Sequence, residues 1–135
     1  TDAGVRKAAV KSDTVLTYDD NTRFELKKVI TDFFTVTGER SGTLTSREGT
    51  HNVRLGVMEA RGNVVVVTTD GRRLETQQLK YDPSRNEIYS DSAFVMTEGN
   101  KTVSGIGFIS DPDMNSFRIL KGAKSTGQEV TIPKR

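Results

Sequence analysis

The chain has 135 residues, the length of one domain, with 33% hydrophobic residues and 20 basic against 18 acidic side chains for a net charge of +2. That balance, with 7% aromatics and no long basic run, excludes the electrostatic footprint of a nucleic-acid binder. Cysteine is absent, which removes disulfides, thiolate metal sites and cysteine nucleophiles, and the lean apolar content suits a thin sheet with one dry and one wet face.

Taken in order, residues 5–15 read as the return strand of a hairpin turning at Asp2-Ala3-Gly4. Residues 24–36 and 41–45 flank a turn at Thr37-Gly38-Glu39. Residues 63–69 hold four consecutive valines, whose β-branched side chains pack well on a pleated surface. Thr69-Asp70-Gly71 then leads into a strand at 73–81, and Glu98-Gly99-Asn100 joins strands at 94–97 and 103–109. Pro83 and Pro112 fall in Asp-Pro connections, where they preset φ without costing a ladder bond. The last β-prone segment is 128–132, inside a C-terminal edge strand and tail at 122–135. The period of two implies about ten strands and no substantial helix.

The turns recur. Gly4, Gly38, Gly71 and Gly99 are 34, 33 and 28 residues apart. At an offset of 29, Val65 and Val67 fall on Phe94 and Met96, Leu74 on Val103, Leu79 on Phe108, and Asp82-Pro83 on Asp111-Pro112. At an offset of 63, Tyr18-Asp19 falls on Tyr81-Asp82 and Ser41-Gly42 on Ser104-Gly105. Each hairpin is too small to bury its apolar face, so stacking must do it. The expected architecture is one all-β domain over 1–135, a twisted, open β-jelly roll of stacked antiparallel hairpins. The first hairpin lacks its outgoing strand and the chain opens at Thr1, so an N-terminally truncated form is expected, with any export signal or anchor cut away. No stretch approaches the ~18 apolar residues of a membrane helix. Both ends of such a stack are unpaired edges: Val5, Lys7 and Ala9 mark one, Val130 and Ile132 the other.

Catalytic and metal chemistry find little support. The single His51 lies in 47–52, which reads as a polar loop, and no nucleophile has a base near it in sequence. Asp111-Pro112-Asp113-Met114-Asn115 resembles the opening of a calcium loop. The sixth loop position is Ser116 where glycine is needed, and the twelfth is Gly122 where the bidentate glutamate belongs. Gly105-Ile106-Gly107 is too short for a phosphate cradle. With tryptophan absent, a carbohydrate platform has no obvious basis. No enzyme, cofactor or metal is expected.

What remains is an apolar stripe. Alternation places Phe34, Val36, Val65, Val67, Leu74, Phe94, Met96 and Val103 on one face. Leu79 and Phe108 join it if bulges shift the phase after Thr76 and Gly105. The stripe reads either as a closed core of a structural β-repeat module or as the lining of an apolar groove.

The segments Gly62-Asn63-Val64-Val65-Val66-Val67, Asp70-Gly71-Arg72-Arg73-Leu74-Glu75-Thr76 and Leu79-Lys80-Tyr81-Asp82 resemble the LptC family. So do Asn86-Glu87-Ile88-Tyr89-Ser90-Asp91, Gly105-Ile106-Gly107-Phe108 and Ser110-Asp111-Pro112. The resemblance covers roughly 4–120, is densest from Ala60 onward, and extends to the related LptA/OstA-like bridge domains. It implies a non-catalytic periplasmic component of lipopolysaccharide transport, outer-membrane biogenesis in effect, anchored in the inner membrane in its full-length form. The groove would pass acyl chains from an inner-membrane ABC transporter complex to the next β-jelly roll, with rolls joined edge to edge by strand addition. The family's lining positions fall on Val65, Val67, Leu74, Leu79, Tyr81, Phe94, Met96, Val103 and Phe108.

Overall fold

A computed structural model describes residues 7–126, apart from 19 and 21. Nine strands make up its regular structure: β1 Lys7–Lys11, β2 Thr14–Tyr18, β3 Arg23–Phe34, β4 Arg40–Asn52, β5 Val57–Thr68, β6 Arg72–Asp82, β7 Glu87–Glu98, β8 Lys101–Ser110 and β9 Arg118–Thr126. They form one antiparallel sheet in the order β1-β3-β4-β5-β6-β7-β8-β9, with β2 also paired to β3. From β3 onward each strand pairs with its sequence neighbour, as expected of stacked hairpins joined by short turns.

The expected turns form. Gly38, Gly71 and Gly99 all take positive φ, which glycine adopts without a Cβ penalty. At the opposite end, the Asp82 carboxylate accepts from the Ser84 hydroxyl at 2.7 Å and the Ser84 amide at 3.0 Å. The Ser84 hydroxyl bond, with smaller help from the Ser84 and Arg85 amides, holds that carboxyl below its ordinary 3.8. A depressed folded pKa means that the contribution is complete above the ordinary carboxylate value and lost as pH falls through the lowered one. Carboxyl titration by NMR should give Asp82 a midpoint below 3.8, and Ser84→Ala should move it upward.

The strands are bent near their middles. Register shifts interrupt the ladders at 45–48 in β4, 61–64 in β5, 76–80 in β6, 90–93 in β7 and 104–106 in β8. β3 bends where Lys28 takes φ 55°, β5 where Gly62 and Asn63 take 83° and 52°, and β8 where Gly107 takes 80°. Bulges increase twist and bend the strand; repeated across the sheet, they fold it back on itself. The half nearer the glycine turns thus faces the half nearer the Asp-Pro turns. The Phe33 ring meets the Tyr81 ring edge-on at 5.0 Å, and the Thr31 hydroxyl lies 3.9 Å from the Met58 sulfur. Both contacts join residues on opposite sides of the bulges. The bulges expected after Thr76 and Gly105 are among those observed.

Two expectations about elements fail. The single strand over 5–15 is two short strands, because its partner β3 bends at Lys28. The break at Ser12-Asp13 sits beside that bend, with the Asp13 amide donating to the Lys27 carbonyl at 2.9 Å and Lys28 reaching the Asp13 carboxylate at 3.5 Å. Residues 47–52 are strand rather than loop. Their backbone is laddered to β3 and β5 on either side, and tertiary pairing overrides their weak β propensity. The Asp2-Ala3-Gly4 turn and the 128–132 segment lie outside the described residues.

Candidate functional site

The inward side chains line up in rows that cross the strands. In the glycine-turn half the register connects Thr31, Leu44, Val66, Leu74, Met96 and Val103, one from each strand β3 to β8. Beside it run Val64, Thr76, Phe94 and Gly105. In the opposite half, Leu26, Gly49, Ala60 and Leu79 form one row, and Met58, Tyr81, Ile88 and Ser110 another. All of these residues are buried. The halves close on each other through Phe94, which meets Phe108 edge-on at 5.3 Å, while Phe108 stacks on Phe117 at 5.2 Å.

Of the residues expected on this face, Leu74, Leu79, Tyr81, Phe94, Met96, Val103 and Phe108 point inward and are buried. Phe34, Val36, Val65 and Val67 do not. Val67 is 41% exposed on the outer face and Val36, in the turn after β3, is 53% exposed. Phe34 and Val65 are half-buried, out of phase with inward Phe33, Val64 and Val66. The β5–β6 hairpin has three loop residues (69–71) and the β7–β8 hairpin has two (99–100). Hairpin length sets register, and a one-residue slip reverses every side chain. A run of four valines and a Phe33-Phe34 pair are apolar on both faces, so alternation alone cannot choose the phase.

Inward Phe33, Val64 and Val66 escape the sequence reading for the same reason, while Leu44, Met58 and Ile88 lie outside the stripe that it selects. Met114 and Phe117 are buried too, from a non-strand segment that carries no alternation. The inward polar groups find partners: the Thr76 hydroxyl donates to the Ala93 carbonyl at 2.8 Å, and the Ser110 hydroxyl to the Asp111 carbonyl at 2.8 Å. The lining therefore presents hydrocarbon, with its polar groups already satisfied.

Charge lies on the outer face. Arg61 reaches Glu25 at 3.4 Å and Glu59 at 3.4 Å, while Lys27 pairs with Glu48 at 3.1 Å. The Lys27 bond keeps the Glu48 carboxyl below its ordinary value. The calcium-like segment is held by its own backbone: the Asp111 carboxylate accepts from the Asn115 and Ser116 amides at 2.8 and 3.0 Å. At the outer boundaries, β1 carries Lys7 and Ala9 on one edge of the sheet and β9 forms the other. Val5, Val130 and Ile132 lie outside the described residues.

These features define an open, single-sheet β-jelly roll folded around a continuous apolar interior. Residues 1–128 match the family described as "Lipopolysaccharide-assembly, LptC-related", and the chain belongs to that family. Its fold is similar to the crystal structure of LptH, described as the LptA homologous periplasmic component of the conserved lipopolysaccharide transport device from Pseudomonas aeruginosa. The two superpose with a TM-score of 0.66 over 91% of this chain and 96% of that one, at 12% sequence identity. No curated protein matches the chain.

Proposed function

We propose that this domain is a non-catalytic periplasmic carrier that shelters the acyl chains of lipopolysaccharide between its half-sheets and passes the lipid from roll to roll. The observation that carries this reading is the direction of the inward rows. They run across the strands from β3 to β8, along the axis on which neighbouring rolls would add, so hydrocarbon surface is continuous in the direction of transfer. Leu74, Leu79, Tyr81, Phe94, Met96, Val103 and Phe108 are the lining positions. Strand addition would use the β1 edge at Lys7 and Ala9 and the edge beyond β9, where Val130 and Ile132 follow. Family membership supports the lipid class, and the fold shared with LptH supports the compartment. The driving energy comes from a partner, an inner-membrane ABC transporter complex, and the full-length form is anchored in the inner membrane.

One observation favours a second reading, a bridge module with a closed core and no ligand. The lining residues pack against one another with no gap between the Phe94, Phe108 and Phe117 rings. A photo-crosslinking amino acid separates the two. Placed at Phe94 or Met96, it should capture lipopolysaccharide, and at the exposed Val67 or Val95 it should give only background. Equal capture from both faces, or capture from the outer face alone, would select the closed module.

A further inference from the structure

The segment between β8 and β9, residues 111–117, crosses the open side of the roll. It leaves β8 at Ser110, which pairs with Ile88 near the Asp-Pro end of β7. Yet its Met114 carbonyl accepts a hydrogen bond from Arg72, which pairs with Glu98 at the glycine-turn end of β7. It thus ties one half-sheet to the other. Three of its side chains are buried in the interior: Pro112, Met114 at 3% exposure and Phe117 at 4%. The Phe117 ring lies 5.3 Å from Phe94 and 5.2 Å from Phe108, two of the lining residues.

We propose that this segment is a hinged plug in the β9 end of the apolar interior, latched by Arg72, and that it withdraws when acyl chains enter. The proposal rests on the acyl-shelter reading above. Among the described residues no strand ladder holds residues 111–117 in place. Within the segment, the Asp111 carboxylate accepts from the Asn115 and Ser116 amides, a turn that the Arg72 bonds keep in place and that loosens when they are lost. Between the segment and the sheet, the Arg72 guanidinium donates to the Asp113 carbonyl at 3.4 Å, to the Met114 carbonyl, and to Asn115 Oδ1 at 3.4 Å. Arg72 is itself aimed by the Asp70 carboxylate at 3.3 Å and Glu98 at 3.8 Å. Releasing this latch unpairs no strand. The apolar contacts that Met114 and Phe117 give up are of the kind an acyl chain restores, so the exchange is close to neutral in buried hydrocarbon. An open pocket of about 700 Å³, lined by the segment itself and by Arg72, Met96, Glu98, Ile109 and Arg118, offers room for it to move.

The test uses the purified chain, lipopolysaccharide, and two variants. Arg72→Ala removes the latch. Met114→Gly shortens the plug at a residue with φ 62°, a conformation glycine accepts readily. Hydrogen exchange at the Asn115 and Ser116 amides should rise on the order of tenfold or more in Arg72→Ala, the effect of losing bonds to a charged group. Exchange at Val64 and Val66 should stay as in the parent chain. Lipopolysaccharide association should quicken by a similar factor in Arg72→Ala, and also in Met114→Gly. Unchanged exchange at Asn115 and Ser116 in Arg72→Ala overturns the latch. Raised exchange with unchanged association overturns the plug while the acyl-shelter reading stands, since the parent chain still binds. Absence of binding by parent and variants alike removes the shelter reading and the plug with it. If Arg72→Ala loses protection at Val64 and Val66, Met114→Gly decides: faster association supports the plug and an unchanged rate rejects it.

Discussion

Phe108→Ala is expected to lower the unfolding free energy by about 3–5 kcal/mol, the usual cost of truncating a buried aromatic where the surroundings cannot close over the gap. Phe108 has no exposed surface and bridges the half-sheets, edge-on to Phe94 and stacked on Phe117. Two rings lean on Phe108, and Phe94, anchored on β7, cannot move into the gap without dragging its strand. Against a typical total of about 5–15 kcal/mol, the loss is about a fifth or more. Urea denaturation should show it as a lower midpoint with an unchanged slope. Val95→Ala, on the outer face of β7, should shift stability by no more than about 0.5 kcal/mol. A Phe108→Ala loss below about 1 kcal/mol would show that the three rings do not form a packed cluster.

Gly105→Val should be nearly as damaging, by the opposite route. A Cβ at Gly105 would lie 2.7 Å from Ile119 Cγ2, 3.1 Å from the Lys121 carbonyl oxygen and 3.2 Å from the Phe94 ring. Overpacking costs about 1–3 kcal/mol, and here one obstacle is β9 backbone, which cannot rotate away. Among the described residues β9 pairs only with β8, so the cheapest relief is for β9 to let go. Hydrogen exchange should therefore show protection lost along β9 while Val64 and Val66 in β5 keep theirs. Gly105→Ala should show the same pattern more weakly. Intact β9 protection at parental stability would contradict the close approach of these two strands.

Much of this protein was legible in its residues because the signals are local. Gly38, Gly71 and Gly99 mark turns through a backbone conformation that other residues resist, and Asp82-Pro83 and Asp111-Pro112 mark connections through a preset φ. The repeat spacing announced stacked hairpins, and the mismatched phase at Leu79 and Phe108 announced bulges. The four valines of 64–67 show where legibility ends. Their β chemistry is certain, but their facing depends on whether the hairpin loop has two residues or three, and the 29-residue alignment imposed the wrong one.

His51 illustrates a different gap. Arg47-Glu48-Gly49-Thr50-His51-Asn52 has loop composition, yet pairing with β3 and β5 holds it as strand, while Lys27 and Glu25 supply partners for its outward Glu48 and Thr50 side chains. Those partners are more than 20 residues away and invisible to any local window. Met114 and Phe117 are the sharpest case. A seven-residue connection with no periodicity buries two side chains, and only the folded-back sheet reveals that Phe117 packs against the Phe94 and Phe108 rings.

The sequence by itself determined the all-β class, the hairpin repeat, the turns and the absence of cysteine chemistry, since these follow from φ preferences, side-chain branching and composition. Only the tertiary structure decided which valines face inward, that bulges fold one sheet into two facing halves, and that a strandless segment buries Met114 and Phe117. Those outcomes depend on register and on contacts between distant residues, where a single residue's shift exchanges the two faces of a strand.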